Sequence, residues 1–364
     1  MTRCLWMLVS GCLLAGPAAA AADAPDLVPA FLADCAARAA AAEKGGALSV
    51  AGRDDWLFLG AELRHLGAGR FWGDDAAKTS RAENPQYADP LPAIVDFKQQ
   101  LDQAGVELLL VPVPAKAVVY PDMLSDRITV AQGAPVPRVD AADREFYDVL
   151  RAAGVTVLDL TPDFLAGRFG IEGPLFCRRD SHWSGSGCVV AACRIAAVIK
   201  DRPWLKDRQK VALDCQWRAV EAAGDLSPAG ARPNEPPEKI PVRFVGRRAA
   251  GGGLEPMPED RTSPVLLLGD SNNLVFHAGG DLYTVGAGLP DQLALELGLA
   301  VDVAAVRGSG ATAARINLVR RAQADPDYLK TKRLVIWCFA AREFTETDGW
   351  RPLPLARGVS GDAK

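Results

Sequence analysis

The sequence predicts an α/β protein in which helices wrap a central parallel sheet. Apolar runs of strand length alternate with amphipathic helical segments along most of the chain, which is typical of parallel strands joined by crossover helices. A serine, Ser271, comes directly after one of these buried strands, where open α/β sheets bind their ligands. A second polar motif, Asp180-Ser-His182, precedes an apolar helix. Together these observations favour an enzyme.

Length and composition fit a folded protein with a full core. The chain has 364 residues, of which 49% are hydrophobic and 24% charged, and its formal net charge is −4. These values suit one large or two moderate domains. The mild acidic excess and the lack of a Lys/Arg cluster argue against a nucleic-acid-binding surface, so no nucleic acid is expected as a partner.

The first residues have the composition of a secretory signal peptide. A basic start at Arg3 leads into a mostly apolar stretch over 4–16, and small residues over 17–22 supply a cleavage pattern. We therefore expect residues 1–22 to be removed and the protein to reach the periplasm. A lipoprotein acylated at Cys12 is the competing interpretation, disfavoured because the apolar run continues through that residue. No later stretch approaches the roughly 18 apolar residues that span a bilayer.

Export makes disulfides possible. Of the eight cysteines, six lie beyond residue 22, and an even number is compatible with pairing in an oxidising compartment. A Cys177–Cys188 bridge would brace the polar motif, and Cys35 with Cys215 is the pairing we favour. Cys338 is expected to be a buried free thiol because it lies within an apolar strand.

The N-terminal part of the chain is predicted to be a helical leader over 23–50, because apolar residues recur every fourth position from Leu27 to Ala39. The main domain is placed at 51–348, and a short strand follows Trp56. Residues 61–90 are expected to be irregular. Arg64 and the aromatic residues of this segment are candidates for lining a sugar-binding cleft, although such residues more often cap a core.

Regular alternation begins near residue 91. Apolar periodicity predicts helices over 92–104, 141–153 and 188–199, and strands over 106–113 and 155–160. Lys116 is a candidate substrate-binding residue because it lies just past the carboxyl end of the first of these strands.

The second half of the chain begins with a segment rich in Pro, Gly and charge. We interpret 201–262 as an irregular insertion with a strand at 242–245. Strands are then predicted over 264–268, 301–306 and 333–339, and helices over 289–299 and 311–323. The tail, 349–364, is expected to be poorly ordered.

Asp180 and His182 have the spacing of a catalytic pair. Residues two apart on an extended segment project to the same side, so Asp180 can orient His182 while His182 takes a proton from Ser271. The alternative is that His182 caps the following helix. A metal site built from the pair with Asp270 and His277 lacks any supporting His spacing, so no metal and no cofactor are expected, and His277 is interpreted as structural.

Acyl transfer also needs hydrogen-bond donors aimed at the developing oxyanion. The N–H of Ser271 is one candidate. Gly308 or Gly310, after the next strand, and the side-chain amide of Asn272 or Asn273 are the others.

These motifs resemble those of the alginate O-acetyltransferase family of exported SGNH-type enzymes. The matching segments are 54–58, 108–117, 120–121, 180–184, 268–271 and 335–337, in the family's order. Ordinary SGNH hydrolases place the serine first and the Asp–His pair last. The Asp-x-His-Trp motif ahead of a later Gly-x-Ser therefore resembles the permuted arrangement of this family.

The resemblance implies an SGNH-hydrolase-like fold in permuted order, with Ser271 as the acylated nucleophile, His182 as its base and Asp180 as the orienting carboxylate. It implies acetyl transfer to hydroxyls of an exported polysaccharide, with acetyl groups supplied by a membrane-bound O-acyltransferase. An equivalent of the SGNH oxyanion asparagine is not evident, and no room remains for an added carbohydrate-binding module, so the polymer stays open. A carbohydrate esterase and a non-catalytic polysaccharide-binding protein are the alternatives; the intact triad argues against the latter.

Overall fold

The computed structural model of the protein describes residues 27–131, 133–227 and 236–355. The predicted signal peptide and the alternative acylation site at Cys12 lie outside these residues, as do residues 356–364 of the predicted tail. Within the described ranges, no helix combines the length and the apolar composition required to cross a membrane.

The strands form a central parallel sheet and smaller antiparallel sheets. In chain order they are β1 (Ser49–Ala51), β2 (Leu57–Leu59), β3 (Glu107–Val113), β4 (Thr156–Val157), β5 (Phe169–Gly170), β6 (Gly173–Pro174), β7 (Asp214–Ala222), β8 (Glu238–Arg248), β9 (Leu254–Glu255), β10 (Val265–Gly269), β11 (Asp302–Ala305) and β12 (Leu334–Ala340). The central sheet has the order β11-β10-β12-β3-β4, and every neighbouring pair is parallel. The predicted parallel sheet is therefore confirmed.

The helices pack on the two faces of this sheet. In chain order they are α1 (Leu27–Lys44), α2 (Gly60–Gly67), α3 (Ala76–Thr79), α4 (Pro90–Gln103), α5 (Lys116–Val119), α6 (Pro121–Leu124), α7 (Ala141–Ala152), α8 (Thr161–Gly167), α9 (Gly185–Ile199), α10 (Pro203–Lys206), α11 (Leu289–Leu297), α12 (Thr312–Ala324) and α13 (Glu343–Glu346). Helices α1, α8, α9 and α11 contribute to one core, and α4, α7 and α12 contribute to the other.

The central strands are buried on both faces, which is why they appear in the sequence as continuous apolar runs. Every residue of β10 and β12 is buried. Successive side chains of a strand point to opposite faces, and accordingly Leu267 and Ile336 enter one core while Leu266 and Trp337 enter the other. The carboxyl ends of β10, β12 and β3 therefore meet at one edge of a rigid sheet.

The segment 61–90 is more regular than predicted. Helix α2 forms there, and His65, Phe71 and Trp72 are buried. The expectation of an irregular segment was wrong because α2 is short and lies among glycines, which hide its apolar spacing. The aromatic side chains of this segment cap a core, as the commoner interpretation held.

The predicted insertion, 201–262, contains an ordered antiparallel sheet. Strands β7 and β8 pair from Asp214–Gly246 to Ala222–Glu238, and β9 pairs with the end of β8. The sequence predicted only part of β8. Strand β7 escaped prediction because most of its side chains are exposed, so it lacks a clear apolar alternation.

The C-terminal segment does not leave the domain at residue 349. Trp350 is 2% exposed and Leu355 is 4% exposed. The main-chain N–H of Leu355 donates to Gln100 Oε1 on α4 at 2.6 Å. Residues 349–355 therefore belong to the packed domain, contrary to the predicted tail.

Neither the favoured Cys35–Cys215 disulfide nor the possible Cys177–Cys188 bridge forms in the structure. Cys35, Cys177 and Cys188 are buried free thiols, so the Cys35–Cys215 and Cys177–Cys188 pairings were wrong. Cys338 is a buried free thiol as predicted. Burial raises the pKa of the Cys177, Cys188 and Cys338 thiols, which keeps them protonated and unreactive.

Candidate active site

Ser271 lies at the carboxyl edge of the central sheet, in a 3-10 turn directly after β10. Asp270 caps this turn, because its Oδ1 accepts from the N–H of Asn272 at 2.9 Å. Its other oxygen accepts from the N–H of Ala340, at the end of β12, at 2.7 Å. Only glycine fits at position 269, because a Cβ there would come 1.7 Å from the carbonyl oxygen of Cys338. The serine is thus fixed to two central strands.

The structure brings Asp180, His182 and Ser271 together in a hydrogen-bonded relay. The Nε2 of His182 lies 2.8 Å from Ser271 Oγ, and its Nδ1 lies 2.6 Å from Asp180 Oδ1. The Asp180 side chain is 2% exposed and the His182 side chain 9% exposed. A serine that is deprotonated as it attacks needs this order of groups: a nucleophile, then a base, then a carboxylate that orients the base.

The polar motif is joined to the serine turn by its tryptophan. The indole Nε1 of Trp183 donates to the carbonyl oxygen of Asn272 at 3.0 Å. Behind it, Ser184 caps α9 by accepting from the N–H of Gly187 at 3.3 Å. These contacts fix the distance between base and nucleophile, although the two lie far apart in the sequence.

Electrostatics strengthen the base. Burial by itself raises the pKa of Asp180, but hydrogen bonds from His182 and Tyr283 outweigh it and hold that pKa at about 2. Burial lowers the pKa of His182, whereas the hydrogen bond to Asp180 and its charge raise it, and the net direction is upward. The imidazole is therefore a stronger base than a free histidine.

Sequence reasoning missed two neighbours of the triad. The hydroxyl of Tyr283 donates to Asp180 Oδ2, and the main-chain N–H of Asp225 donates to the same oxygen at 3.1 Å. Asp225 lies past β7 and Tyr283 lies in a glycine-rich loop after the serine turn. No motif or spacing in the sequence connects either residue with the site. Both lie far from Asp180 along the chain and approach it only in the folded structure.

The loop that follows β11 lies beside the serine turn. A Cβ on Gly310 would come 2.9 Å from the main-chain nitrogen of Asp270, so this glycine packs directly on the turn. Gly308 has a φ of +80°, and no described atom lies within 4 Å of the position of its Cβ. Among the described residues, no hydrogen bond uses the N–H of Ser271. That N–H and this loop remain the candidate oxyanion donors.

The asparagine side chains do not fit this role. Asn273 is fully buried and its Nδ2 donates to the carbonyl oxygens of Asp270 at 3.1 Å and Cys338 at 2.8 Å. Asn272 is 3% exposed and its Nδ2 donates to Asp270 Oδ1 at 3.1 Å. Both amides therefore brace the turn.

Lys116 lies behind the site. It is fully buried, and its ammonium donates to the carbonyl oxygens of Leu57 at 2.9 Å and Asp180 at 2.5 Å. Burial lowers the pKa of Lys116, and the charge of Glu62 opposes that shift. The prediction that this lysine contacts substrate was wrong, because its ammonium is used to hold the main chain of the polar motif.

Arg64 is also used inside the protein. Its guanidinium donates to the carboxylate of Glu346 and to the carbonyl oxygens of Thr79 and Thr345. The structure therefore joins α2 to α13 through Arg64 and does not bring it to the triad.

Asp180, His182, Asp270 and His277, the residues considered for a metal site, do not form one cluster. His277 pairs with Asp291 at 2.9 Å and with Glu259 at 3.3 Å, as expected of a structural histidine. Asp180, His182 and Asp225 do offer ligand atoms within 4.8 Å of one another. The Nδ1 of His182 is already bonded to Asp180, so this cluster is satisfied as part of the triad.

We expect the His277 pair to stabilise the fold in a pH-dependent way. Burial lowers the pKa of His277, but hydrogen bonds to Asp291 and Glu259 raise it to about 9, above its ordinary value of 6.5. Its contribution is therefore complete below about pH 6.5 and is lost as the pH rises through about 9. Because burial also raises the pKa of Asp291, part of this gain is offset.

Denaturant unfolding of wild type and His277→Gln checks this prediction. We expect the variant to lose about 1–2 kcal/mol at pH 6 and much less at pH 9.5. An equal loss at both pH values would mean that the pair contributes through packing alone.

The comparison with known families decides the assignment. The family model described as "SGNH hydrolase-like domain, acetyltransferase AlgX" matches residues 50–341. The chain belongs to this family. The predicted family resemblance is therefore confirmed, and so is the SGNH-like fold.

Curated relatives of the chain are named as alginate acetylases. The "Probable alginate O-acetylase AlgJ" of Pseudomonas aeruginosa is 28% identical over 152 residues, which cover 42% of this chain and 33% of that protein. The protein of the same name from Pseudomonas putida is 25% identical over 231 residues, which cover 62% of this chain and 50% of that protein. The chain thus spans a third to a half of the length of these relatives.

Solved structures show the same fold. The O-acetyltransferase domain of Pseudomonas putida AlgJ has a TM-score of 0.58 and 24% identity, covering 82% of this chain and 92% of that chain. Pseudomonas aeruginosa AlgX has a TM-score of 0.55 and 18% identity, covering 83% of this chain and 65% of that chain.

Proposed function

We propose that the protein is an O-acetyltransferase that moves acetyl groups through an acyl-Ser271 intermediate to hydroxyls of an exported polysaccharide. The relay from Ser271 Oγ to His182 Nε2 at 2.8 Å, and from His182 Nδ1 to Asp180 Oδ1 at 2.6 Å, carries this proposal. Membership of an acetyltransferase family and relatives named alginate O-acetylases support acetyl as the group and a polysaccharide as the acceptor.

The first half of the reaction loads the serine. Ser271 Oγ attacks the carbonyl carbon of an acetyl donor while its proton passes to His182 Nε2, and Asp180 stabilises the imidazolium. The negative charge that develops on the carbonyl oxygen is met by the Ser271 N–H and the loop holding Gly308 and Gly310. The intermediate collapses, the donor's oxygen takes the proton from His182, and acetyl-Ser271 remains.

The second half transfers the acetyl group. A sugar hydroxyl gives its proton to His182 and attacks acetyl-Ser271, and collapse returns that proton to Ser271 Oγ. With water in place of the sugar the same steps give acetate, which is the esterase alternative. The triad serves both reactions, so the acceptor that reaches acetyl-Ser271 decides between them.

The cellular setting is part of the proposal. The signal-like composition of residues 1–22 supports export to the periplasm. There, a membrane-bound O-acyltransferase would supply acetyl groups, and alginate is the first polymer to test because the relatives are named for it. No cofactor is required by the relay.

Product analysis tests the proposed function. Purified protein lacking residues 1–22 is given an acetyl-ester reporter with and without oligosaccharides of alginate, cellulose or another exopolysaccharide, and the products are identified by mass spectrometry. We expect acetylated oligosaccharide from at least one polymer and acetyl-enzyme when no acceptor is present. Acetate alone with every polymer would favour the esterase. Binding of a polymer without release of acetyl would favour the binding protein.

We expect kcat/KM for the reporter to increase with pH, with an acidic limb above pH 6.5, the ordinary pKa of histidine. Only neutral His182 accepts the serine proton, and Asp180 raises the pKa of that imidazole despite burial. A pH–rate profile measures this directly. A limb centred at or below pH 6.5 would contradict the electrostatic coupling between the two residues.

A further inference from the structure

Tyr283 occupies an unusual backbone conformation beside the triad. Its φ is +78° and its ψ is −57°, and the N–H of Thr284 donates to the carbonyl oxygen of Leu282 at 3.1 Å. This is a γ-turn with positive φ, which is rare and strained for a residue that has a Cβ. Such strain persists only where the surroundings enforce it, and it concentrates at functional sites.

The loop around Tyr283 enforces this conformation. The carbonyl oxygen of Leu282 also accepts from the N–H of Phe276 at 2.9 Å, and the N–H of Gly279 donates to the carbonyl oxygen of Thr284 at 3.0 Å. The rings of Phe276 and Tyr283 lie 5.7 Å apart. None of these contacts uses the tyrosine hydroxyl, so a phenylalanine would satisfy the loop equally well.

The hydroxyl is used on the triad. It donates to Asp180 Oδ2, the oxygen that faces away from His182. The N–H of Asp225 donates to the same oxygen at 3.1 Å, while Oδ1 accepts from the N–H of His182 at 2.9 Å and from its Nδ1 at 2.6 Å. The carboxylate is therefore held at both oxygens and cannot rotate without breaking a hydrogen bond.

The phenol remains a donor throughout the working range. Burial and the neighbouring Asp180 carboxylate raise the pKa of Tyr283, so its proton stays on the phenol oxygen. Tyr283 thus exchanges no proton in the reaction, and its hydrogen bond draws charge from Asp180.

We propose that Tyr283 is a positioning residue of the triad, whose hydroxyl fixes the Asp180 carboxylate and thereby sets the orientation and basicity of His182. This inference rests on the proposed function only in assigning the triad its chemistry. The strained turn then places the Tyr283 hydroxyl, on the loop after the serine turn, against the Asp180 carboxylate.

The variant Tyr283→Phe tests this role, because it keeps the ring and removes the hydroxyl. We expect kcat for the acetyl-ester reporter to fall about tenfold with KM unchanged, since one hydrogen bond to a charged group is lost. We also expect the acidic limb of the pH profile to move to higher pH. A carboxylate with one donor fewer interacts more strongly with the imidazolium and raises the pKa of His182.

Tyr328→Phe is the matched control. The hydroxyl of Tyr328 donates at 2.5 Å to Asp302 Oδ2, another buried carboxylate, at the amino end of β11 and hence at the opposite edge of the sheet from the triad. We expect this variant to be less stable in thermal unfolding but to keep the wild-type pH profile. Equal pH shifts in both variants would reduce Tyr283 to a structural residue.

Two measurements separate this inference from the proposed function. The pKa of His182 is read by NMR from the chain's three histidines, with assignment by His182→Gln, and requires no activity. Labelling of Ser271 by a fluorophosphonate, followed across pH by intact mass, reports the reactivity of the serine. Failure of the wild type to label would overturn the proposed function, whereas an unchanged His182 pKa in Tyr283→Phe would overturn the inference.

Fluorination gives a test of opposite sign. Replacing the five tyrosines with 3-fluorotyrosine makes each phenol a stronger donor. We expect the pKa of His182 to decrease in the fluorinated wild type and to be insensitive to fluorination in Tyr283→Phe. A shift of equal size in both proteins would contradict the role of Tyr283.

Discussion

Replacing Ser271 with alanine should abolish acyl transfer and leave the fold intact. The hydroxyl is the group that carries the acetyl in the proposed mechanism. In enzymes that use such a triad, loss of the nucleophile reduces kcat by about 10⁴-fold or more. Ser271 is half-buried and its hydroxyl contacts His182, so its removal leaves a small gap without an unpaired charge.

Turnover of the acetyl-ester reporter and intact mass measure this effect. Wild type should gain the mass of one acetyl group, and Ser271→Ala should not. Ser263→Ala is the matched control, because Ser263 precedes the same strand at its other end and donates to the carbonyl oxygen of Ala300 at 2.7 Å. Full activity in Ser271→Ala would remove the serine from the mechanism.

The largest expected loss of stability comes from Asp302→Ala. Asp302 and Lys332 are both fully buried, with the ammonium 2.7 Å from Asp302 Oδ2. Arg321 lies 2.9 Å from the other oxygen, Oδ1. Removing the carboxylate leaves the buried ammonium of Lys332 without its anion, which costs about 3–5 kcal/mol, whereas Arg321 is partly exposed to solvent.

Chemical denaturation checks this value, and Lys330→Ala serves as the comparison. Lys330 pairs with Asp327 at 2.6 Å on the surface, where solvent screens the pair, so its removal should leave the unfolding midpoint unchanged. Similar losses in the free energy of unfolding of the two variants would indicate that the buried Asp302 cluster stabilises the fold no more than a surface ion pair does.

The sequence predicted most of the central sheet because its strands are buried on both faces. Continuous apolar runs mark β3, β10 and β12. The antiparallel sheet was largely missed for the converse reason, since β7 exposes most of its side chains. Short helix α2 was missed because one apolar turn between glycines gives no periodicity.

The sequence predicted that Asp180, His182 and Ser271 lie together, because the proposed chemistry requires residue types that the chain offers rarely. The chain has only three histidines, so few residues could serve as a base beside an aspartate. The supporting groups could not be predicted. Lys116 follows the carboxyl end of a central strand, as a substrate-binding residue would, but its ammonium donates to main-chain oxygens. Tyr283 reaches Asp180 through a γ-turn that no local sequence pattern predicts.

The order of the central sheet has a consequence for biosynthesis. The polar motif is tied to the β3 side through Lys116, and the nucleophile sits on β10, but β12 lies between these strands and is the last strand to be made. The central sheet that carries both halves of the candidate site is therefore complete only once residues 334–340 have been made. A chain that still lacks β12 also lacks the Ala340 N–H that holds Asp270 at the serine turn.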